Sequence, residues 1–88
     1  MPRKERVTRV TDGDTFETGS RKHPVRLARV DTPEKGQRGH GAAKEALSRL
    51  IGGKTVEVDT VARDAYGRSV ANVKVGGRSV NRAMEKNG

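Results

Sequence analysis

One segment of helical period, flanked on both sides by short alternating segments, constrains what this chain can fold into. Across Ala42–Ile51 the residues Ala43, Ala46, Leu47, Leu50 and Ile51 share one face at helical spacing, and Gly52 follows where a helix would end. Before it, Arg6–Thr11 places Val7 and Val10 in a β-prone run that reaches Asp12-Gly13, a favoured hairpin dipeptide. Asp14–Thr18 resumes as a strand with Phe16 as its apolar residue, and Gly19 to Lys22 is turn material. Pro24–Val30 alternates, with Val25 and Leu27 facing one way and Arg26 and Ala28 the other. Pro33 ends that strand, because it cannot donate to a ladder and holds Thr32 extended. Residues 35–41, with three glycines, read as a mobile loop. After the helix, Val56 and Val58 alternate with Glu57 and Asp59, which belong to the outer face of a strand. A turn at Asp64–Gly67 leads to a strand with Ala71, Val73 and Val75 on one side. Gly76-Gly77 turns again, and Ser79 or Asn81 can cap a last short helix bearing Val80, Ala83 and Met84.

Five short strands with a helix between the third and fourth, then a short C-terminal helix, form a predominantly β, α+β pattern. Among the arrangements it admits is the five-stranded OB-fold, a partly open Greek-key barrel that often binds oligonucleotides. The 88 residues fit one domain, 1–88, with residues 1–5 expected as a loose basic tail. At this size folding hides only roughly 60% of the surface of the unfolded chain, so stability is expected to be marginal. The 19 Lys and Arg against 11 acids leave a net charge of +8, which calls for a polyanionic partner. A membrane surface fits poorly, because there is no long apolar run and no basic amphipathic helix with Trp, Phe and Leu. The lack of cysteine excludes disulfides and cysteine-ligated zinc and leaves the redox compartment open. The basic start Met1–Arg6 is not followed by an apolar stretch, so it does not read as a secretory signal.

Three polar clusters punctuate the strands: Asp12-Gly13-Asp14-Thr15, Arg26 through Glu34, and Asp64-Ala65-Tyr66-Gly67-Arg68. Each alone reads as an ordinary hairpin turn or as an exposed edge strand ending at a proline. Together they match what phosphodiester hydrolysis demands: a hard cation, positive donors around the phosphoryl oxygens, and a group that orients or deprotonates water. Asp14 and Asp31 can supply carboxylate oxygens to one divalent ion, and the Thr32 carbonyl a third oxygen. Glu34 stands just beyond, across a turn stiffened by Pro33, where its carboxylate can act as general base or water-orienting group. Arg26 and Arg68 can each form paired bonds to phosphate oxygens, which lysine cannot copy.

In these three segments the chain resembles the staphylococcal (micrococcal) nuclease, or thermonuclease, family, from about Val7 to Gly88. The resemblance implies an OB-fold barrel, dependence on Ca²⁺, and cleavage of single-stranded or denatured DNA and RNA to 3′-phosphorylated products by a monomer. It also implies Asp14, Asp31 and Thr32 as metal ligands, Glu34 as the catalytic glutamate, and Arg26 and Arg68 as the phosphate-gripping arginines. Tyr66 matches a tyrosine that contacts a terminal phosphate. Two departures stand out. Ala65 replaces a lysine of the best-known members, and the family's tyrosine-bearing loop and final helix do not follow Gly88, so weaker substrate binding is expected.

The remaining charged residues read as solvated surface. His23 and His40, far apart in sequence, are expected to be solvated, Asp12 and Asp64 to stabilise turns, and Lys35, Arg38 and Lys44 to form a basic face. Two other functions share these features: an OB-fold nucleic-acid-binding module with a vestigial site, and a scaffold whose charge serves only solubility. Neither the compartment nor a preference for DNA over RNA is written in the sequence.

Overall fold

Antiparallel hairpins and one parallel pairing close the strands into a barrel. In the computed structural model, which describes residues 2–33 and 36–87, β1 (Arg3–Asp12) passes through Gly13-Asp14 into β2 (Thr15–Thr18). Strand β2 pairs with β3 (Val25–Leu27), and β1 pairs on its other side with β4 (Thr55–Arg63), which pairs in turn with β5 (Ser69–Val75). The circuit closes where β5 runs parallel to β3, with Val25 opposite Ser69 and Leu27 opposite Ala71. A parallel pair needs a crossover connection. Here α1 (His40–Ile51) and β4 supply it. This is the five-stranded OB-fold barrel, with a two-residue strand β6 (Arg78–Ser79) added to β5 and a final helix α2 (Val80–Asn87). Gly76 and Gly77, at φ 55° and 81°, form the β5–β6 turn in the left-handed region that suits a two-residue hairpin.

The core follows the alternation. Val7, Phe16, Val25, Leu27, Val56, Val58, Ala71 and Val73 of the strands form one core with Leu47 and Ile51 of α1 and Val80 and Met84 of α2. Complete burial of a side chain of the size of Leu47 or Ile51 contributes about 1.5–3 kcal/mol. Ala43, Leu47 and Ile51 are the fully buried stripe of α1, with Ala46 and Leu50 half-buried beside it. The helix begins at His40, two residues before the expected Ala42, because Gly39 at φ 90° supplies the left-handed residue that ends the preceding loop. Ser79 caps α2 by accepting from the Arg82 N–H. Asn81 is instead a buried tie: its Oδ1 accepts from Val73 N–H at 2.8 Å, and its Nδ2 donates to the carbonyls of Ala28 and Ala71 at 3.0 Å.

Two expectations are corrected. Residues 3–5 are not a loose tail: Arg3, Lys4 and Glu5 pair with Val58, Glu57 and Val56 as the start of β1. Their charged composition hides the strand, since Arg3 and Lys4 point outward and Glu5 points inward to polar partners of its own. Strand β3 is also shorter than Pro24–Val30 and is not an edge, being paired on both sides. It stops after Leu27 because the chain bends at Arg29, which adopts φ 60°, an uncommon conformation for a residue with a Cβ.

Candidate active site

The turn between β1 and β2 is where the polar clusters meet. Gly13 is fully buried there, and a Cβ on it would lie 2.6 Å from the Ala43 Cβ and 2.9 Å from the Thr32 Oγ1. Only glycine lets this turn pack against both α1 and the segment after β3. The packing brings Asp12, Asp14, Arg26, Asp31, Thr32, Pro33 and Arg68 around one cleft of about 370 Å³. Five of the seven expected site residues thus share a single cleft: Asp14, Arg26, Asp31, Thr32 and Arg68. Glu34, and Lys35 of the expected basic face, lie outside the described residues. Tyr66 does not line the cleft; it is 82% exposed at the β4–β5 turn, with the Arg68 guanidinium 5.5 Å from its ring centre.

Each arginine is held from behind. Arg26 donates from Nη1 to the Leu27 carbonyl at 3.1 Å and from Nη2 to the Val30 carbonyl at 3.3 Å, bracing the bend that follows β3. The same Nη2 lies 3.5 Å from Asp14 Oδ2. Arg68 donates from Nε to Asp64 Oδ2 at 2.6 Å, while Asp64 Oδ1 accepts the N–H groups of Tyr66 and Arg68. Partial burial acts to raise the Asp64 pKa, but the bonds from Arg68 and from the two backbone N–H groups outweigh it and hold the carboxyl below its ordinary 3.8. Asp64 therefore does stabilise its turn and, in addition, aims an arginine.

Thr15 joins the two sides. Its hydroxyl accepts from Arg68 Nη1 at 3.3 Å and donates to Asp14 Oδ1 at 2.8 Å. A continuous chain of contacts then runs from Asp64 through Arg68, Thr15 and Asp14 to Arg26. The motif Asp12-Gly13-Asp14-Thr15 marks Thr15 only as a neighbour, because its partner Arg68 is remote in sequence.

The two remaining acids differ. Asp12 is bound by His40, whose Nε2 lies 2.8 Å from Asp12 Oδ1, so His40 is half-buried at the start of α1 and not a solvated loop residue. Asp31 is exposed and has no hydrogen-bonding partner among the described residues. Asp14 and Asp31 with the Thr32 carbonyl are hard oxygen donors on one cleft, which suits a hard divalent cation. Among the described residues no three His, Cys, Asp or Glu side chains cluster tightly enough to enclose a metal.

Residues 24–88 match the family model described as staphylococcal nuclease homologue. The chain belongs to that family. It is 42% identical over 86 residues to an uncharacterized endonuclease of Escherichia coli O157:H7, an alignment spanning 94% of this chain and 56% of the relative. An uncharacterized endonuclease of Haemophilus influenzae is 36% identical over 94% of this chain and 48% of its own length. A probable staphylococcal-like nuclease of rice, CAN1, is 35% identical over 78% of this chain and 21% of the plant protein. The chain spans about half the length of the bacterial relatives. In this staphylococcal nuclease homologue, acidic and arginine side chains interleave around one cleft.

Proposed function

We propose that this domain hydrolyses phosphodiester bonds of DNA and RNA, taken as single or denatured strands, with Ca²⁺ held by Asp14, Asp31 and the Thr32 carbonyl. The observation that carries the reading is the convergence of Arg26 and Arg68 with Asp14 and Asp31 on one cleft. Asp31 has no ion-pair partner among the described residues, and Asp14 has one at 3.5 Å, so both carboxylates keep oxygens open to the cleft. The cation, when bound, supplies Lewis-acid stabilisation of charge on the phosphoryl oxygens.

The chain's own residues do the rest. Arg26 and Arg68 grip the phosphoryl oxygens from two sides, and their guanidinium planes are already oriented by the Leu27 and Val30 carbonyls and by Asp64. Such preorganised donors need no rearrangement as negative charge grows towards the five-coordinate state. Thr15 keeps the Asp14 carboxylate and the Arg68 guanidinium in fixed register. Glu34 orients the attacking water or takes its proton; as the water oxygen bonds to phosphorus the P–O5′ bond breaks, and the 5′ oxygen takes a proton from solvent, giving a 3′-phosphate and a 5′-hydroxyl. Tyr66, beside Arg68, contacts a neighbouring phosphate of the same strand.

The test is release of acid-soluble nucleotides from denatured DNA with Ca²⁺, with Mg²⁺ and with excess chelator. The expected result is Ca²⁺-dependent release that Glu34→Gln abolishes. Undiminished cleavage in chelator would overturn the cation assignment. Salt-sensitive binding of single strands with no turnover in any divalent ion would replace the hydrolase by a binding module.

A further inference from the structure

Outside the cleft, on the other flank of the Asp64–Arg68 turn, a second and smaller recess of about 180 Å³ is lined by Arg21, Lys22, His23, Arg63 and Ser69. No carboxylate lines it among the described residues. We infer that this recess is a second phosphate-binding subsite, which holds the backbone of a nucleic-acid strand next to the phosphate in the cleft. The inference rests on the nuclease reading above for the identity of the strand and adds a contact surface to it.

The recess is built, and is more than a scatter of surface cations. Arg21 is fixed by Glu5 through Nε and donates from Nη1 to the buried Ser69 Oγ at 2.9 Å, and its Nη2 makes no bond among the described residues. The His23 ring packs against Gly67, where a Cβ would stand 3.7 Å from Nδ1. Arg63 sits across from Ser69 in the β4–β5 ladder, and its one bond among the described residues is a long 3.4 Å contact from Nη1 to the Gly67 carbonyl. Lys22 is exposed and, like Arg63, has no ion-pair partner among the described residues. Glu5 neutralises Arg21, so Lys22 and Arg63 are the uncompensated charges.

Position selects the ligand. Ser69 opens β5 directly after Arg68, the last residue of the β4–β5 turn, and Arg68 lines the cleft while Ser69 lines the recess. The chain likewise passes from Lys22 and His23 in the recess to Arg26 in the cleft within a few residues. An anion with a single phosphate can occupy only one of these places. A polynucleotide presents the repeated phosphates that fill both, and cationic contacts of this kind release counterions and make affinity depend on salt.

The test is binding of a labelled single-stranded dodecanucleotide to the full chain, followed by anisotropy over a range of salt in chelator, so that no cleavage intervenes. For Lys22→Ala/Arg63→Ala the slope of log affinity against log salt should fall in magnitude by about 1.4, from roughly 0.7 for each single-strand phosphate no longer neutralised. Binding of a dinucleoside monophosphate, whose single phosphate can fill only one of the two places, should be unchanged. The control Lys4→Ala/Lys74→Ala, which removes two cations from a different groove, should keep the wild-type slope. An unchanged slope in the first variant overturns the subsite, and so does an equal fall in the control, which would reduce the effect to overall charge. Either result leaves Ca²⁺-dependent cleavage by the wild-type chain standing. Failure of that cleavage, with the slope change intact, would instead overturn the hydrolase and keep the subsite.

Discussion

Two groupings of arginine and carboxylate occupy opposite ends of the β1–β2 hairpin, and they are built to opposite standards. At the open end, Glu5 is 4% exposed and accepts from Thr18 Oγ1, Ser20 Oγ and Arg21 Nε, the last reaching both carboxylate oxygens at 2.7 and 2.9 Å. At the turn end, Asp14 has the Thr15 hydroxyl and a 3.5 Å approach from Arg26, and Asp31 is exposed without a bond among the described residues. Burial alone would raise the Glu5 pKa, yet the Arg21, Thr18 and Ser20 bonds outweigh it and hold the carboxyl below its ordinary 4.5. Both oxygens of the Glu5 carboxylate are already bonded, which leaves it nothing to offer a cation. The turn end has open carboxylate oxygens and guanidinium groups facing the same cleft. Residue type is the same at both ends, and the degree of saturation separates a fastening from a site.

Removing one arginine from each end puts the largest strain on this distinction. Arg68→Ala should lower kcat for denatured DNA by on the order of 10²–10³, the usual loss for one transition-state donor. Arg21→Ala should leave kcat within about twofold well below its melting temperature while costing about 3 kcal/mol of stability, because it strands a buried carboxylate. Steady-state rates and urea unfolding measured on both variants decide it. Equal effects on rate from the two would dissolve the distinction.

A cation should separate the ends next. Saturating Ca²⁺, at about a hundred times its dissociation constant, should stabilise the wild-type chain by about 2.7 kcal/mol. Asp31→Asn should lose most of that gain, and Glu5→Gln, although less stable, should keep it. Melting curves with and without Ca²⁺ provide the readout. A full gain in Asp31→Asn would remove that residue from the ligand set.

Acid acts on the fastening by a known sign. A carboxyl whose folded-state pKa is lowered contributes stability above its unfolded value and loses it as pH falls through the folded value. For Glu5 that loss begins below pH 4.5, and for Asp64 below pH 3.8. Urea unfolding between neutral pH and strong acid should therefore steepen below pH 4.5, and Glu5→Gln should flatten the first part of that decline. An identical pH profile in the variant would mean that Glu5 titrates alike in both states.

The smallest contrast concerns two threonines. Thr18→Val deletes a bond to Glu5 and should cost about 1 kcal/mol of stability with little change in rate. Thr15→Val deletes the link between Asp14 and Arg68 and should lower kcat about tenfold, the equivalent of roughly 1.4 kcal/mol. A stability loss without a rate loss in Thr15→Val would make it a second fastening.

Much of this molecule follows from short-range pattern. The α1 stripe of Ala43, Leu47 and Ile51, the alternation of Val56 and Val58, and the turn chemistry at Asp64 and Gly76-Gly77 all depend on residues a few places apart. So does the gathering of Arg26, Asp31 and Thr32 in one segment, which makes most of the cleft legible from the chain itself. What stays hidden in the sequence involves partners far apart along it. The start of β1 is concealed because Glu5 reads as surface charge until Arg21, Thr18 and Ser20 are seen around it. His40 reads as a loop residue until folding sets it against Asp12, and Thr15 has no visible role until Arg68 arrives from the β4–β5 turn. Local pattern alone, then, determined the elements and the residue types of the cleft. The closure of β3 on β5, and with it the choice of which charges are satisfied and which are left open, belonged to the tertiary structure. A hydrogen bond satisfies a charge only at contact distance, and contact between remote residues exists only once the barrel has closed.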